Sequence, residues 1–287
     1  MIRSLLARLW RILTAPFRLI AKPFVVIRDA IVQESEESPV SDTFARVIEN
    51  PSILVEHIEA LRRHLLRSLV VLIVAVGVST AFAGRVLDWL AEPIGGIDAL
   101  QAIEVTESIG AFMRVSLLSG FALAFPFICV ELFLFVNPGL RRSERAMLLK
   151  AIPAATVLFL IGLAFAYYIM LPVALPFMLN FLGIITVPRP SNYIRFVTGL
   201  MFWIGVAFQF PLIIYVLAAL GLINAKQLAS GWRFAIIFIA IMAAAVTPTV
   251  DPVNMALVMA PMILLYFLSI GLAALAQKGR RMRRSRE

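Results

Sequence analysis

The chain has 287 residues, of which 61% are hydrophobic and 15% charged, with a mean hydropathy of +0.94. A water-soluble domain of this length carries about 25% charged residues and about half apolar ones, so a purely water-facing globule is excluded and lipid must solvate much of the surface. The net charge of +9 lies at the edges of apolar runs and in both tails. Anionic headgroups and topology rules place Lys and Arg there, and no aromatic-interleaved basic face suits nucleic acid.

Residues 1–28, MIRSLLARLWRILTAPFRLIAKPFVVIR, contain no acid. At 100° per residue, Arg3, Arg8, Arg11, Arg18 and Lys22 share one side, and Leu6, Leu9, Trp10, Leu13, Phe17 and Ile20 the other. This predicts a basic amphipathic helix able to lie in the headgroup plane. Arginines interrupt the apolar face too often for a secretory h-region, although an organellar transit peptide has a similar composition. Residues 29–54 are polar and acidic and read as a linker. A membrane domain follows over 55–277, and 278–287 form a basic tail.

About 20 apolar residues in a helix cross a hydrocarbon core of about 30 Å. Six candidate spans follow in chain order: Leu65–Phe82, Phe112–Val136, Met147–Leu182, Ile194–Ile223, Phe234–Val246 and Met255–Ala276. The third is longer than the membrane and carries Pro153, Pro172 and Pro176, which predicts a kinked helix. The last two, separated by TPTVDPVN, read as a short helical hairpin whose first arm barely spans the bilayer. The expected fold is therefore an all-α membrane protein, a bundle of six transmembrane helices.

Arg62, Arg63, Arg141, Arg142, Arg145, Lys150, Lys226, Arg233 and the tail residues Lys278 to Arg286 all fall on one side of that bundle. The other side has only Arg85, Arg114, Arg189 and Arg195. The asymmetry predicts cytoplasmic N- and C-termini.

No nucleophile elbow, HExxH or glycine-rich phosphate loop occurs, so neither an enzyme nor a cofactor is expected. The single cysteine, Cys129, excludes an internal disulfide framework and a Cys-rich metal site. His57 and His64, seven apart before the first span, read as surface residues. Glu59 has a local role available in pairing with Arg62 or Arg63 on its helix. Glu144 follows Ser143, a natural N-cap, and suits the positive end of a helix. Glu131 differs, because it lies inside the second span. A buried ionisable group there costs about 2.5–3.5 kcal/mol on insertion scales and usually faces the bundle interior. Gln209 and Asn180 read as helix–helix hydrogen bonders.

Four segments together are similar to one family. HIEALRRHLLRS, LFLFVNPGLRRSERAML, SNYIRFVTGLMFWIGVAFQFPLIIYVL and AVTPTVDPVNMALVMAPMILLYFLSIGL occur in that order over roughly residues 55–275. They resemble the first-span motif, the Pro-Gly-Leu turn, the fourth span and the last hairpin of TatC, the multispanning subunit of the twin-arginine translocase. The resemblance implies a receptor in the cytoplasmic (inner) membrane that binds twin-arginine signal peptides at its cytoplasmic face. It implies further copies of itself and TatA- and TatB-type single-span proteins as partners, and export of folded proteins driven by the proton-motive force. It assigns peptide binding to Glu144, Phe135, Arg62 and Glu59, because a guanidinium pair needs carboxylates it can meet in bidentate, charge-assisted contacts.

The chain departs from the family pattern in several places. Ala60 stands where many relatives carry a second acid, and Glu131 replaces a glutamine. Gln209 replaces a frequent glutamate, and Met255 and Phe267 stand where polar or acidic residues are common. Glu131 and Gln209 thereby form a candidate intramembrane polar site. Two other readings stay open on the residues alone. One is a secondary transporter with an intramembrane carboxylate, the other a membrane assembly scaffold.

Overall fold

A computed structural model describes residues 51–140, 142–179, 186–247 and 252–284, and no strand occurs among them. The basic segment 1–28, the linker up to residue 50 and Asn180 lie outside the described residues.

Helix α1 (Pro51–Thr80) starts four residues before the expected start of the membrane domain and carries the HIEALRRHLLRS motif unbroken into the first apolar run. The chain then bends by 72° into α2 (Ala83–Ala91), a short helix the sequence reading took for loop. Two single 3-10 turns follow. Gly95 and Gly96 between them have φ of 97° and 99°, in the left-handed region that favours glycine.

Helix α3 (Thr106–Val136) leads through a 3-10 turn at Asn137–Gly139 to α4 (Arg142–Phe165). Since α4 begins at Arg142, Ser143 lies within its first turn and is not its cap. The expected kink of the third span has a specific form. A π turn at Ala166–Met170 separates α4 from α5 (Leu171–Leu179). It falls just ahead of Pro172, whose missing N–H and bulky ring prevent regular bonding to the preceding turn.

The fourth span is likewise broken. Helix α6 (Pro190–Ala207) stops two residues before α7 (Phe210–Leu220), where Pro211 enters. Helix α8 (Ala225–Ser230) is held by a capping box in which the Asn224 amide donates to Gln227 Oε1 at 3.1 Å. The final pair is α9 (Trp232–Val246) and α10 (Pro252–Arg284). The hairpin expected to be short is short only in its first arm. The second has 33 residues, because no breaker stops the helix at the end of the apolar run and it continues through the basic residues beyond it.

Among the described residues, four stretches are long and apolar enough to cross a membrane: Thr106–Gly139, Glu144–Leu179, Pro190–Leu220 and Pro252–Gly279. The bent pair α1–α2 makes a fifth, and α9, at 15 residues, is shorter. Large apolar side chains line the outsides of these helices, with Ile73, Phe238 and Leu264 each more than 60% exposed. Water does not solvate such a surface and lipid does. The chain is an all-α membrane protein.

The described contacts group into two compact units, one of residues up to Val74 with Ala124–Ile152, the other of Ala75–Leu123 with the chain from Pro153 onward. In the second unit, α2 is anchored by two buried tyrosines. Tyr167 and Tyr193 donate their hydroxyls to the carbonyls of Trp89 and Leu90, each at 2.7 Å, and Trp89 stacks on Tyr167 at 3.9 Å. These carbonyls belong to the last turn of α2, which has no helical partners for all of them. Leu90, Val115, Leu171, Ile194, Val197 and Ile204 fill the core behind this anchor.

Gln209 sits at the α6–α7 break, 9% exposed, and donates its Nε2 to the Ala155 carbonyl on α4 at 3.2 Å. It thus acts as the helix–helix hydrogen bonder its polarity suggested. Interhelical hydrogen bonds in membranes contribute about 0.6 kcal/mol on average and up to about 1.7. Gln209→Leu is expected to lower stability within that range, read as a small drop in the unfolding midpoint of the detergent-solubilised protein.

Candidate functional site

In the first unit, α1 and the last part of α3 bring one polar cluster together. On α1, His57 and His64 are seven residues apart and share a face. On α3, Glu131 and Phe135 are four apart and share another. The two faces meet. His64 Nδ1 lies 2.6 Å from Glu131 Oε2, a hydrogen bond whose carboxylate is only 3% exposed. Arg67 Nη1 stands 3.9 Å from the same oxygen. The Phe135 ring packs against His57 at 4.5 Å and makes a T-shaped contact with His64 at 6.1 Å.

Glu131 therefore faces protein, as its place in an apolar run required. Its partner His64 is not a free surface residue, which corrects the reading of that histidine from spacing alone, while His57 is exposed as expected. The face-sharing of His57 and His64 was visible in the sequence. What they face lies 67 residues away and was not.

Glu59 and Arg62 are exposed on α1, and neither Arg62 nor Arg63 forms an ion pair with Glu59 among the described residues. Glu144 is half-buried in the first turn of α4. The turn before it is stiffened by Arg145, a 6% exposed side chain that donates its Nε to the Leu140 carbonyl at 3.1 Å. The Leu140 amide donates to the Asn137 carbonyl, also at 3.1 Å, closing the Asn-Pro-Gly turn. Glu144 thus follows a hydrogen-bonded turn and opens α4. Gln209 belongs to the second unit and takes no part in the Glu131 cluster.

A second ionic cluster was missed in the sequence. Arg189, just before α6, donates its Nε to Glu107 Oε1 at 2.8 Å, and its Nη2 to Glu107 and, at 3.3 Å, to Glu104. The Glu107 hydrogen bond, together with the charges of both acids, raises the Arg189 pKa further above its ordinary value despite desolvation. Glu107 is 4% exposed and opens α3, and the pair ties the start of α3 to the start of α6. Among the described residues no group of three His, Cys, Asp or Glu side chains could hold a metal ion.

The geometry has close counterparts. The profile of the family described as Sec-independent protein translocase protein (TatC) matches residues 56–261. The protein of that name from Carboxydothermus hydrogenoformans is 32% identical over 228 residues, covering 78% of this chain and 94% of its own. The Deinococcus radiodurans protein is 37% identical over 231 residues, 77% of this chain and 85% of its own. Among solved structures, a crystal structure of the twin-arginine translocase receptor TatC superimposes with a TM-score of 0.68 at 31% identity, covering 77% of this chain and 99% of that one. A second crystal structure of that receptor, in DDM, gives 0.69. With nearly three quarters of its length matched, the chain belongs to the TatC family of Sec-independent protein translocases, membrane translocase subunits and not enzymes.

Proposed function

We propose that this chain is the core receptor of a twin-arginine translocase. It binds twin-arginine signal peptides at the cytoplasmic face and nucleates assembly of TatA- and TatB-type single-span proteins with further copies of itself. Export of folded precursors is then driven by the proton-motive force. In this reading six helices cross the inner membrane, with both termini cytoplasmic. The bent α1–α2 pair is the first span. The 15-residue α9, about 22 Å long at 1.5 Å per residue, is the fifth, in a bilayer that thins around it.

One observation carries the reading. Glu144 stands in the first turn of α4, half-buried, five residues after the glycine of a proline-glycine turn, and its neighbour Arg145 donates to the Leu140 carbonyl that follows that turn. An incoming guanidinium meets a carboxylate presented from the first turn of a helix. A bidentate Arg–carboxylate contact is charge-assisted, and a lysine cannot reproduce its fork. Exposed Glu59 supplies a second carboxylate for the second guanidinium. Arg62, one turn along α1, interacts with the peptide backbone or its acidic neighbours, and half-buried Phe135 receives the apolar residue beside the arginine pair.

Topology tests the reading. Ala146 is exposed on α4, and Cys129 is the sole native cysteine. In a Cys129→Ser background, Ala146→Cys should react with a membrane-impermeant thiol reagent in inside-out vesicles and be protected in intact spheroplasts. Labelling only from outside would put Glu144 beyond the reach of any cytoplasmic leader and end the receptor reading.

A further inference from the structure

We infer that His64 is a positioning residue for leader-peptide recognition, acting through Glu131 and Phe135; the inference rests on the receptor reading above.

The argument begins with Glu131. A carboxyl group 3% exposed inside an apolar span is costly unless a hydrogen-bonding partner meets it. His64 Nδ1 meets it at 2.6 Å, while Arg67 stands farther away at 3.9 Å. The bond fixes more than a distance. An imidazole joined to its backbone through two torsions, and held at one ring nitrogen, has its plane and edge fixed as well. The ring so fixed meets Phe135 in a T-shaped contact, with centroids 6.1 Å apart and planes at 66°. His57, two turns earlier on the same face, closes the other side of the Phe135 ring at 4.5 Å and 32°. Phe135 therefore sits between two imidazoles, and only the His64 ring is anchored to a buried group.

A purely structural role would not call for these residue types. Two helices crossing in lipid pack well with apolar side chains at both positions, without burying a carboxyl group. The cluster joins this buried polar pair to the half-buried aromatic that the receptor reading assigns to the peptide. His64 is where the two meet.

The test uses the full chain in detergent and measures affinity for a synthetic leader peptide carrying Arg-Arg, per folded molecule counted by size exclusion. His64→Leu removes the hydrogen bond and the imidazole edge and is expected to weaken binding about tenfold. His64→Asn places an amide nitrogen where Nδ1 stands and keeps the bond to Glu131 but offers Phe135 no ring, and is expected to recover part of that loss. The paired variant His64→Leu/Glu131→Leu leaves no buried carboxyl group and should fold as well as the wild type, yet still bind weakly. Because His64 acts through Phe135, adding His64→Leu to Phe135→Leu should weaken binding by no more than about twofold beyond Phe135→Leu alone.

Glu144→Lys is run alongside. If it loses binding while His64→Leu binds as the wild type, the inference on His64 fails and the receptor reading stands. If Glu144→Lys binds normally, the receptor reading itself is wrong. Should His64→Asn be as weak as His64→Leu, or should the paired variant regain wild-type affinity, the Glu131 hydrogen bond does not position the site and the inference is overturned.

Discussion

Gly162→Val is expected to abolish accumulation of folded protein. Helices α4 and α6 cross at a contact between two glycines. A Cβ on Gly162 would stand 2.8 Å from the Gly205 Cα and 3.1 Å from the Ile204 carbonyl oxygen. A Cβ on Gly205 would meet the Phe159 ring at 2.7 Å. The obstacle at Gly162 is backbone, which has no rotamer to change, so the helices must separate. Phe159, Leu200 and Ile204, all fully or almost fully buried around that crossing, would lose their packing. Alanine at 162 should cost about 1–3 kcal/mol, and valine more. Small residues are what allow helices in lipid to approach this closely, since no hydrophobic effect drives them together there. Gly199→Ala is the control, because no atom lies within 4 Å of its added Cβ. It should leave the unfolding midpoint unchanged or slightly raised, since alanine is the better helix former. Yield and midpoint of the purified variants in detergent decide the matter.

Glu144→Lys is expected to abolish export while membrane insertion and folding stay normal. The substitution lies in the first turn of α4, at a half-buried position. Its effect is electrostatic. A carboxylate offering two acceptors to a guanidinium becomes an ammonium that repels it. Truncating one partner of a hydrogen-bonded charge pair at an interface costs about 2–5 kcal/mol, and reversal adds repulsion. Peptide affinity should therefore fall by about 100-fold or more. Glu59→Lys should have a smaller effect, because Glu59 is exposed and water screens it. An export reporter behind a twin-arginine leader, scored against the amount of receptor in the membrane, measures both.

Where the sequence was legible, a strong local constraint made it so. Glu131 is the one carboxylate inside an apolar run, so the cost of exposing it to lipid required it to face protein, and it does. Gln209 was readable in the same way, since a polar side chain inside an apolar span needs a hydrogen-bond partner on a neighbouring helix, here the Ala155 carbonyl. Pro172 announced a bend in the third span, but proline does not dictate how a helix accommodates it, and the π turn before it came only with the structure. His64 was misread because its sequence neighbours are basic and exposed, while the group that needs it is 67 residues away. Arg189 and Glu107 were invisible as a pair for the same reason, with 82 residues between them. Helix α2 was missed because nine residues are too few for periodicity to show, and its stability comes from Tyr167 and Tyr193 in distant spans.

The measurement that bears most directly on the receptor account is site-specific photo-crosslinking from position 146, exposed on α4 two residues after Glu144, in inside-out membrane vesicles, with leaders that differ only in Arg-Arg or Lys-Lys. The account predicts a strong crosslink to the Arg-Arg leader and little to the Lys-Lys leader, since a guanidinium can meet the Glu144 carboxylate with two hydrogen bonds and an ammonium cannot. Equal crosslinking of the two leaders, or none to either, would contradict it.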